Sequence, residues 1–90
     1  MYAVNYTEEA RRDISLLRNS DPIAFRKVKQ LLLELVEHPA TGTGHPEPLR
    51  GGELRRWSTR ISKKHRLVYE IFETEVVVLV LAAYGHYNDK

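Results

Sequence analysis

The sequence predicts an α+β protein, in which a small antiparallel sheet with an N-terminal strand carries a two-helix hairpin on one face. Three observations support this class. A β-branched and aromatic run opens the chain, two amphipathic stretches follow, and three β-rich segments separated by tight turns close it. The 90 residues form one domain, residues 1–90. A core this thin leaves room only for an open surface groove as a site.

The first half of the chain carries the first strand and both helices. Residues 2–6 (YAVNY) read as the strand. Thr7 is a predicted N-cap, followed by two glutamates at the positive end of the helix dipole. Asp21 and Pro22 restart the chain as a second helix, which ends before Pro39. Its apolar residues fall at helical spacing on one stripe: Ala24, Val28, Leu31, Leu32 and Leu35.

The second half reads as a long loop and then three strands. Residues 39–52 hold three of the four prolines and four of the five glycines, which predicts a loop with little regular structure. The three predicted strands are residues 55–61, 66–72 and 76–84. The last of them is apolar on both faces, so we expect it in the interior of the sheet.

Composition narrows the class of protein. Without cysteine, the chain has no disulfides, no thiolate zinc site and no cysteine nucleophile. No apolar run is long enough to span a membrane, and the N-terminus lacks a signal-peptide pattern, so we expect a soluble, cytoplasmic protein with no membrane contact. The four histidines lack metal-ligand spacing, and neither a metal nor a cofactor is expected.

Charge is unevenly distributed along the chain. Residues 50–66 hold seven of the fourteen basic residues and one of the twelve acidic ones, a net charge of +6 on a chain whose total is +2. A cationic segment on an acidic body indicates a polyphosphate partner. The alternative is a solvated hairpin laced with salt bridges.

Alternation along the strands predicts which side chains face away from the helices. Residues on one face of the first hairpin strand are Arg56, Ser58 and Arg60, and those on the core face are Trp57, Thr59 and Ile61. In the next strand, Arg66 shares a face with Val68 and Glu70, while Leu67, Tyr69 and Ile71 form the apolar set. We therefore expect Arg60 and Arg66 to converge on the open face.

Glu47 is held between two prolines. Pro46 fixes its own φ, and Pro48 drives Glu47 into an extended conformation, so its carboxylate has a restricted direction. A general base needs that restriction, although a rigid loop with a solvated glutamate gives the same pattern.

Cleavage of RNA without a metal needs a base for the 2′-hydroxyl, an acid for the leaving 5′-oxygen and cations for the phosphorane. Glu47 or His86 could be the base, and His86 or Tyr87 the acid. The candidate cations are Arg50, Arg60 and Arg66. Two histidines have plainer interpretations: His86 as an exposed residue near the C-terminus, and His65 as a solvated or packing residue of a hairpin turn.

Four stretches carry a resemblance to a known family: GTGHPEPLR at 42–50, WSTRI at 57–61, HRLVY at 65–69 and GHY at 85–87. In this order they resemble the YoeB (Txe) family of bacterial toxins, part of the RelE-like group of ribosome-dependent mRNA endonucleases. The resemblance implies a microbial-ribonuclease-like fold and metal-independent cleavage of mRNA in the A site of the 70S ribosome, with rRNA contacts. It also implies a type II toxin-antitoxin system with a cognate YefM/Axe-like antitoxin and, frequently, a homodimer.

Carried over residue by residue, the resemblance gives Glu47 the role of general base and Arg66 that of transition-state cation. It makes His86 the general acid and Tyr87 the residue that orients substrate. The basic residues expected to contact RNA phosphates are Arg60, Arg50, Arg56, Lys63 and Lys64.

The chain departs from the family pattern at Thr59, where an arginine is usual, and at His45, where a lysine is common. Residues 88–90 extend beyond the terminal tyrosine. Two rival hypotheses stay open: a non-catalytic module that binds RNA or an antitoxin with the same face, and a structural partner that works only in complex with another chain.

Overall fold

Two helices and five strands make up the residues that the structure, a computed structural model, describes: 1–49 and 55–85. In chain order they are β1 (Ala3–Tyr6), α1 (Glu8–Ser20), α2 (Pro22–Glu37), β2 (Glu47–Pro48), β3 (Arg56–Arg60), β4 (Arg66–Phe72) and β5 (Val77–Ala82). The α+β class and the helix hairpin predicted from the sequence are confirmed.

The strands form one sheet in the order β1-β5-β4-β3-β2. The pairs β5–β4, β4–β3 and β3–β2 are antiparallel, and short turns join the strands of the first two pairs, as expected for antiparallel neighbours. The N-terminal strand β1 adds a parallel pair, with Ala3 opposite Val77, so the sheet is mixed. Strand β5 lies between β1 and β4, and its predicted interior position is confirmed.

Both helices begin at the residues that the sequence predicts. The Thr7 hydroxyl accepts a hydrogen bond from the Ala10 backbone N–H at 3.0 Å and donates one to the Leu81 carbonyl at 2.9 Å. One side chain therefore caps α1 and ties it to β5. Asp21 Oδ1 accepts from the Ala24 N–H at 3.2 Å, with Pro22 as the first helical residue.

The core lies between the helices and one face of the sheet. The buried residues of this layer include the α1 and α2 stripe and the inward set of the strands: Ala10, Leu17, Ala24, Val28, Leu31, Leu35, Ile61, Leu67, Tyr69, Ile71, Val78 and Val80. Trp57 packs against it partly buried, and Thr59 is buried. The core face predicted from strand alternation is confirmed.

Tyr69 anchors the start of the loop after α2. Its side chain is fully buried, and its hydroxyl donates a 2.6 Å hydrogen bond to the Pro39 carbonyl. Burial raises the pKa of Tyr69 far above its ordinary value, so the phenol stays protonated and keeps that bond.

Most strand boundaries lie within one residue of the sequence prediction, and the larger differences are in two places. The predicted loop of residues 39–52 contains the two-residue strand β2 at Glu47–Pro48. The last strand spans Val77–Ala82 rather than residues 76–84, because the preceding turn extends through Val76, whose φ is +58°. A β-branched residue is favoured in strands and disfavoured in this left-handed region. The propensity of Val76 therefore predicts a strand at a position that the structure places in a turn.

His65 is a packing residue, the second of the two interpretations above. It is 6% exposed, and its ring centroid lies 4.6 Å from that of Tyr84. None of the helices in the described ranges is long and apolar enough to cross a bilayer.

Replacing Val76 by glycine should stabilise the protein by about 0.5–1 kcal/mol. Relief of the left-handed strain gains roughly 1–2 kcal/mol, and the extra freedom of glycine in the unfolded chain removes about 0.5–1 kcal/mol of that. Val76 is 41% exposed, so little packing is lost. Urea unfolding of Val76→Gly measures the difference.

The matched control is Thr74→Gly, an exposed position in the same turn without a positive φ. It should lower the free energy of unfolding. Equal destabilisation by both substitutions would contradict the strain assigned to Val76.

Candidate active site

The edge strand β2 aims the Glu47 side chain. Glu47 lies opposite Ser58 of β3, and Pro48 lies opposite Trp57. The Leu49 N–H donates to the Arg56 carbonyl at 2.9 Å, which continues the pairing by one residue. Because paired residues in an antiparallel ladder point to the same face, this register places Glu47 on the face away from the helices. The predicted restriction of Glu47 therefore has a structural basis.

The hairpin of β3 and β4 brings two cations to the same place. Arg60 and Arg66 are directly opposite in the ladder. The predicted convergence of these two residues on the open face is therefore what the structure shows. Like charges directly opposite each other destabilise a sheet. This pair consequently needs a compensating anion or a functional reason.

The compensating anion is Glu47. Arg66 Nη2 donates to Glu47 Oε2 at 3.1 Å, and Arg66 Nε donates to Ser58 Oγ at 3.1 Å. The Arg66 side chain is 16% exposed, whereas that of Glu47 is 63% exposed. The hydrogen bond to buried Ser58 thus fixes the Arg66 guanidinium, while the Glu47 carboxylate stays accessible to a ligand.

The loop before β2 is tied to helix α2 through Glu34. The Thr43 backbone N–H donates to Glu34 Oε1 at 3.1 Å, and the Thr43 hydroxyl donates to Oε2 at 3.0 Å. Gln30 donates to Glu34 Oε2 at 3.3 Å. Although burial raises the pKa of Glu34, the hydrogen bonds from Thr43 and Gln30 and the charge of Lys27 hold it, on balance, below its usual value of 4.5.

Gly44 joins the same loop to β3. Its carbonyl accepts from the Arg60 N–H at 2.8 Å. A Cβ at position 44 would lie 2.2 Å from Thr59 Oγ1 and 2.9 Å from the Arg60 carbonyl, so only glycine allows this approach. Thr59, the departure from the family pattern, packs under the loop, pointing away from the cation pair as predicted.

His45 completes the cleft. It adopts φ +58° immediately before Pro46, a left-handed conformation that costs on the order of 1–3 kcal/mol and is typical of functional loops. Together with Gly44, it lines a small open cleft of about 190 Å³ whose other lining residues are Glu47, Arg60 and Arg66. An exposed carboxylate facing two guanidinium groups can accept a proton beside a bound phosphate.

Other predicted site residues are placed differently. Arg56 Nη2 forms a 2.7 Å ion pair with Glu70 on the same face, so part of its charge is already neutralised. Lys63 and Lys64 are exposed in the turn between β3 and β4. Arg50, His86 and Tyr87 lie outside the described residues, and their predicted roles stay predictions.

Sequence reasoning missed two residues of the site. The sequence gives His45 only as a departure from the family pattern, and it carries no signal that points to Glu34. The signal for His45 was its place beside Pro46 in the rigid loop. Glu34 lies nine residues before Thr43 within an ordinary helical stretch, and no local pattern indicates that contact.

A larger concavity, about 390 Å³, lies against the helices. Its lining residues, Tyr6, Arg11, Ile14, Ser15, Arg18, Phe25, Lys29 and Leu32, include neither a carboxylate nor a histidine. It therefore offers no carboxylate or imidazole as a general base. Among residues 1–49 and 55–85, no three His, Cys, Asp or Glu side chains are grouped as a metal site would require.

The Glu34 contacts predict a pH-dependent contribution to stability. Because the folded-state pKa of Glu34 is lowered, its stabilisation is present above the unfolded value and is lost as pH falls through the folded value. Glu34→Ala should lower the free energy of unfolding at pH 7 by about 1 kcal/mol, after allowance for its partial exposure.

Urea unfolding of wild type and Glu34→Ala at pH 7 and at pH 3 measures that contribution. The difference between the two proteins should shrink at pH 3. Glu37→Ala, an exposed glutamate of the same helix, should show a smaller difference at pH 7. A Glu34 effect that does not change with pH would contradict a role for the ionised carboxylate.

Comparison with known proteins agrees with the fold. A family model described as a YoeB-like toxin of bacterial type II toxin-antitoxin systems matches residues 6–87. A toxin YoeB from Mycobacterium bovis is 37% identical over 79 residues, which cover 88% of this chain and 93% of that relative. A YoeB/ParE toxin from Agrobacterium tumefaciens superimposes with a TM-score of 0.86 at 28% identity, over 94% of this chain and 99% of the other.

Two structures from Staphylococcus aureus show such proteins in assemblies. A YoeB dimer has a TM-score of 0.83 at 25% identity, covering 96% of this chain and 98% of that one. A heterotetrameric YoeB–YefM toxin-antitoxin complex has a TM-score of 0.79 at 25% identity, covering 97% and 99%. Since the family model spans nearly the whole chain, this protein belongs to the YoeB-like toxins of bacterial type II toxin-antitoxin systems.

Proposed function

We propose that this toxin is an endoribonuclease that cleaves mRNA in the A site of the ribosome and so stops translation. The observation that carries the proposal is the arrangement of Glu47, Arg60 and Arg66 in one open cleft, with Glu47 and Arg66 in direct contact. An open cleft suits a polymer that passes across the surface, whereas a small cofactor prefers an enclosed pocket.

The chemistry follows from the charges in the cleft. Glu47 takes the proton of the 2′-hydroxyl, and the 2′-oxygen forms a bond to phosphorus while the bond from phosphorus to the 5′-oxygen breaks. Arg66 and Arg60 stabilise the charge on the phosphorane oxygens. The general acid, assigned to His86 by the family resemblance, protonates the 5′-oxygen. The products carry a 2′,3′-cyclic phosphate and a 5′-hydroxyl, and no metal takes part.

Arg66 suits both states of the cleft. A guanidinium has five N–H donors in a planar fork, and Arg66 directs Nε to Ser58 and Nη2 to Glu47. When a phosphate enters, the hydrogen bond from Nε to Ser58 keeps the guanidinium plane oriented, and Nη2 exchanges its hydrogen bond to Glu47 for one to the phosphate. The remaining basic residues on this side, among them Lys63 and Lys64, contact the RNA backbone.

A YefM-like antitoxin and ribosomal RNA are the partners that this function requires. The antitoxin is proposed because a relative of similar fold occurs in a YoeB–YefM complex, and a homodimer because another occurs as a dimer. A purely RNA-binding role leaves Glu47 without a purpose, since an exposed carboxylate in a cationic cleft repels phosphate and weakens binding, whereas cleavage needs a proton acceptor there.

Glu47→Gln should lower the cleavage rate by about 100-fold or more, the typical contribution of a general base. The measurement maps mRNA 5′ ends on translating ribosomes and on naked RNA. Wild type should cut at A-site codons and leave 5′-hydroxyl ends. Glu37→Gln, an exposed carboxylate outside the cleft, is the matched control and should cut normally. Undiminished cutting by Glu47→Gln would remove Glu47 as the base, and the absence of wild-type cuts would leave a module that only binds.

Arg66→Lys should lower the rate by roughly 10–100-fold while the positive charge is kept, because lysine lacks the planar fork that engages Ser58 and phosphate together. Arg12→Lys, the same change at an exposed position of α1 outside the cleft, serves as its control. An Arg66→Lys rate within twofold of wild type would show that charge alone suffices.

A further inference from the structure

The chain that follows β5 is held by polar contacts at alternate residues. The Leu81 carbonyl accepts from the Thr7 hydroxyl at 2.9 Å, and the Ala83 N–H donates to Asp13 Oδ2 at 3.0 Å. The Gly85 N–H donates to His65 Nδ1 at 2.8 Å. Each contact comes from a different residue, so the path of the chain from 81 to 85 is fixed from several directions.

His65 is itself rigidly held. Its carbonyl accepts from the backbone N–H groups of Ile61 and Ser62, and its own N–H donates to the Ser62 hydroxyl. The ring is buried and lies against Tyr84. Because Nδ1 accepts a hydrogen bond, the ring proton is on Nε2 in this arrangement.

Gly85 is clamped on both of its polar backbone groups. Its N–H donates to the His65 ring, and its carbonyl accepts from the Arg66 N–H at 3.0 Å. Its φ is +76°, which glycine adopts without strain. The next residues of the chain are His86 and Tyr87. The residue that leads into the candidate acid is therefore joined to the residue that carries the candidate cation.

We propose that His65 is a positioning residue for RNA cleavage: its Nδ1 fixes the Gly85 backbone, and the Gly85 carbonyl in turn holds the backbone N–H of Arg66, the candidate cation. The inference rests on the proposed function. Because the His65 side chain is buried, it does not contact RNA itself, and its effect on cleavage passes through Gly85. Misplacement of a reacting group by about 1 Å can lower a rate by up to roughly 100-fold.

Three substitutions of His65 separate the acceptor from the packing. His65→Asn places a carbonyl oxygen near the position of Nδ1 and keeps the acceptor. His65→Gln carries the same amide one bond farther out, near the position of Nε2. His65→Phe keeps an aromatic ring against Tyr84 and has no acceptor. Ile61→Val, a buried change in the same hairpin that leaves the acceptor intact, controls for lost stability.

Two measurements are made on each purified toxin. Amide hydrogen exchange by NMR reports the Gly85 N–H directly and needs no activity. Cleavage kinetics on translating ribosomes separate the rate at saturation from the ribosome concentration that gives half of it. In the wild type, we expect slow exchange of the Gly85 N–H. His65→Asn and Ile61→Val should keep both this slow exchange and a cleavage rate close to that of the wild type.

In His65→Gln and His65→Phe, Gly85 should exchange faster and the saturated rate should fall at least about tenfold, with the half-saturating ribosome concentration within about twofold of wild type. If His65→Phe does not fold, the comparison of Asn with Gln still decides. Equal rates for Asn and Gln would overturn the positioning role, as would a wild-type rate in Phe. Absence of cuts by wild type would instead overturn the proposed function, and the positioning role with it.

Discussion

The hydrogen bond from Arg66 to Glu47 exists because β2 joins the sheet edge in a single register. Alternation has a period of two, so a slip of one residue along β3 would turn Glu47 toward the helices and leave Arg60 and Arg66 without an anion. A two-residue strand cannot set a register by its own ladder. The register is instead fixed by two flanking hydrogen bonds. The Arg60 N–H donates to the Gly44 carbonyl before β2, and the Leu49 N–H donates to the Arg56 carbonyl after it. The hydrogen bond from the Thr43 N–H to Glu34 then joins the same loop to helix α2.

The buried layer supplies the rigidity that this register needs. Tyr69 fixes Pro39 at the start of the loop, and Thr59 on the same sheet face packs against Gly44 near its end. Both side chains lie on the core face, while Arg60 and Arg66 of the same two strands line the cleft on the other face. One pair of strands thus serves stability with one face and chemistry with the other, and a core substitution at Tyr69 or Thr59 is expected to displace Glu47 without touching it.

Local chemistry made the helices and the cation pair predictable from the sequence. The caps Thr7 and Asp21 act within three residues, and strand parity alone placed Arg60 beside Arg66. What failed was non-local or against propensity. The parallel partner of β1 is more than seventy residues away, β2 is too short to leave a periodic signal, and Val76 takes a turn conformation that its side chain disfavours. The Glu34 and His65 contacts join segments that no motif connects. Sequence reasoning therefore predicted that Arg60 and Arg66 share a face and that Glu47 is restricted in direction. It did not predict the contacts from Glu34 and His65 that hold the surrounding segments.

In the cleft, Arg66 makes one weak contact, the ion pair with exposed Glu47, and one firm contact, the hydrogen bond to buried Ser58. This combination suits the proposed reaction. An exposed ion pair is worth only about 0–1 kcal/mol, so a phosphate can displace Glu47 from Arg66 at little cost. The Ser58 contact, being buried, persists through the exchange and keeps the guanidinium in plane. In the proposed reaction, the Glu47 carboxylate no longer bonded to Arg66 is then free to accept a hydrogen bond from the incoming 2′-hydroxyl.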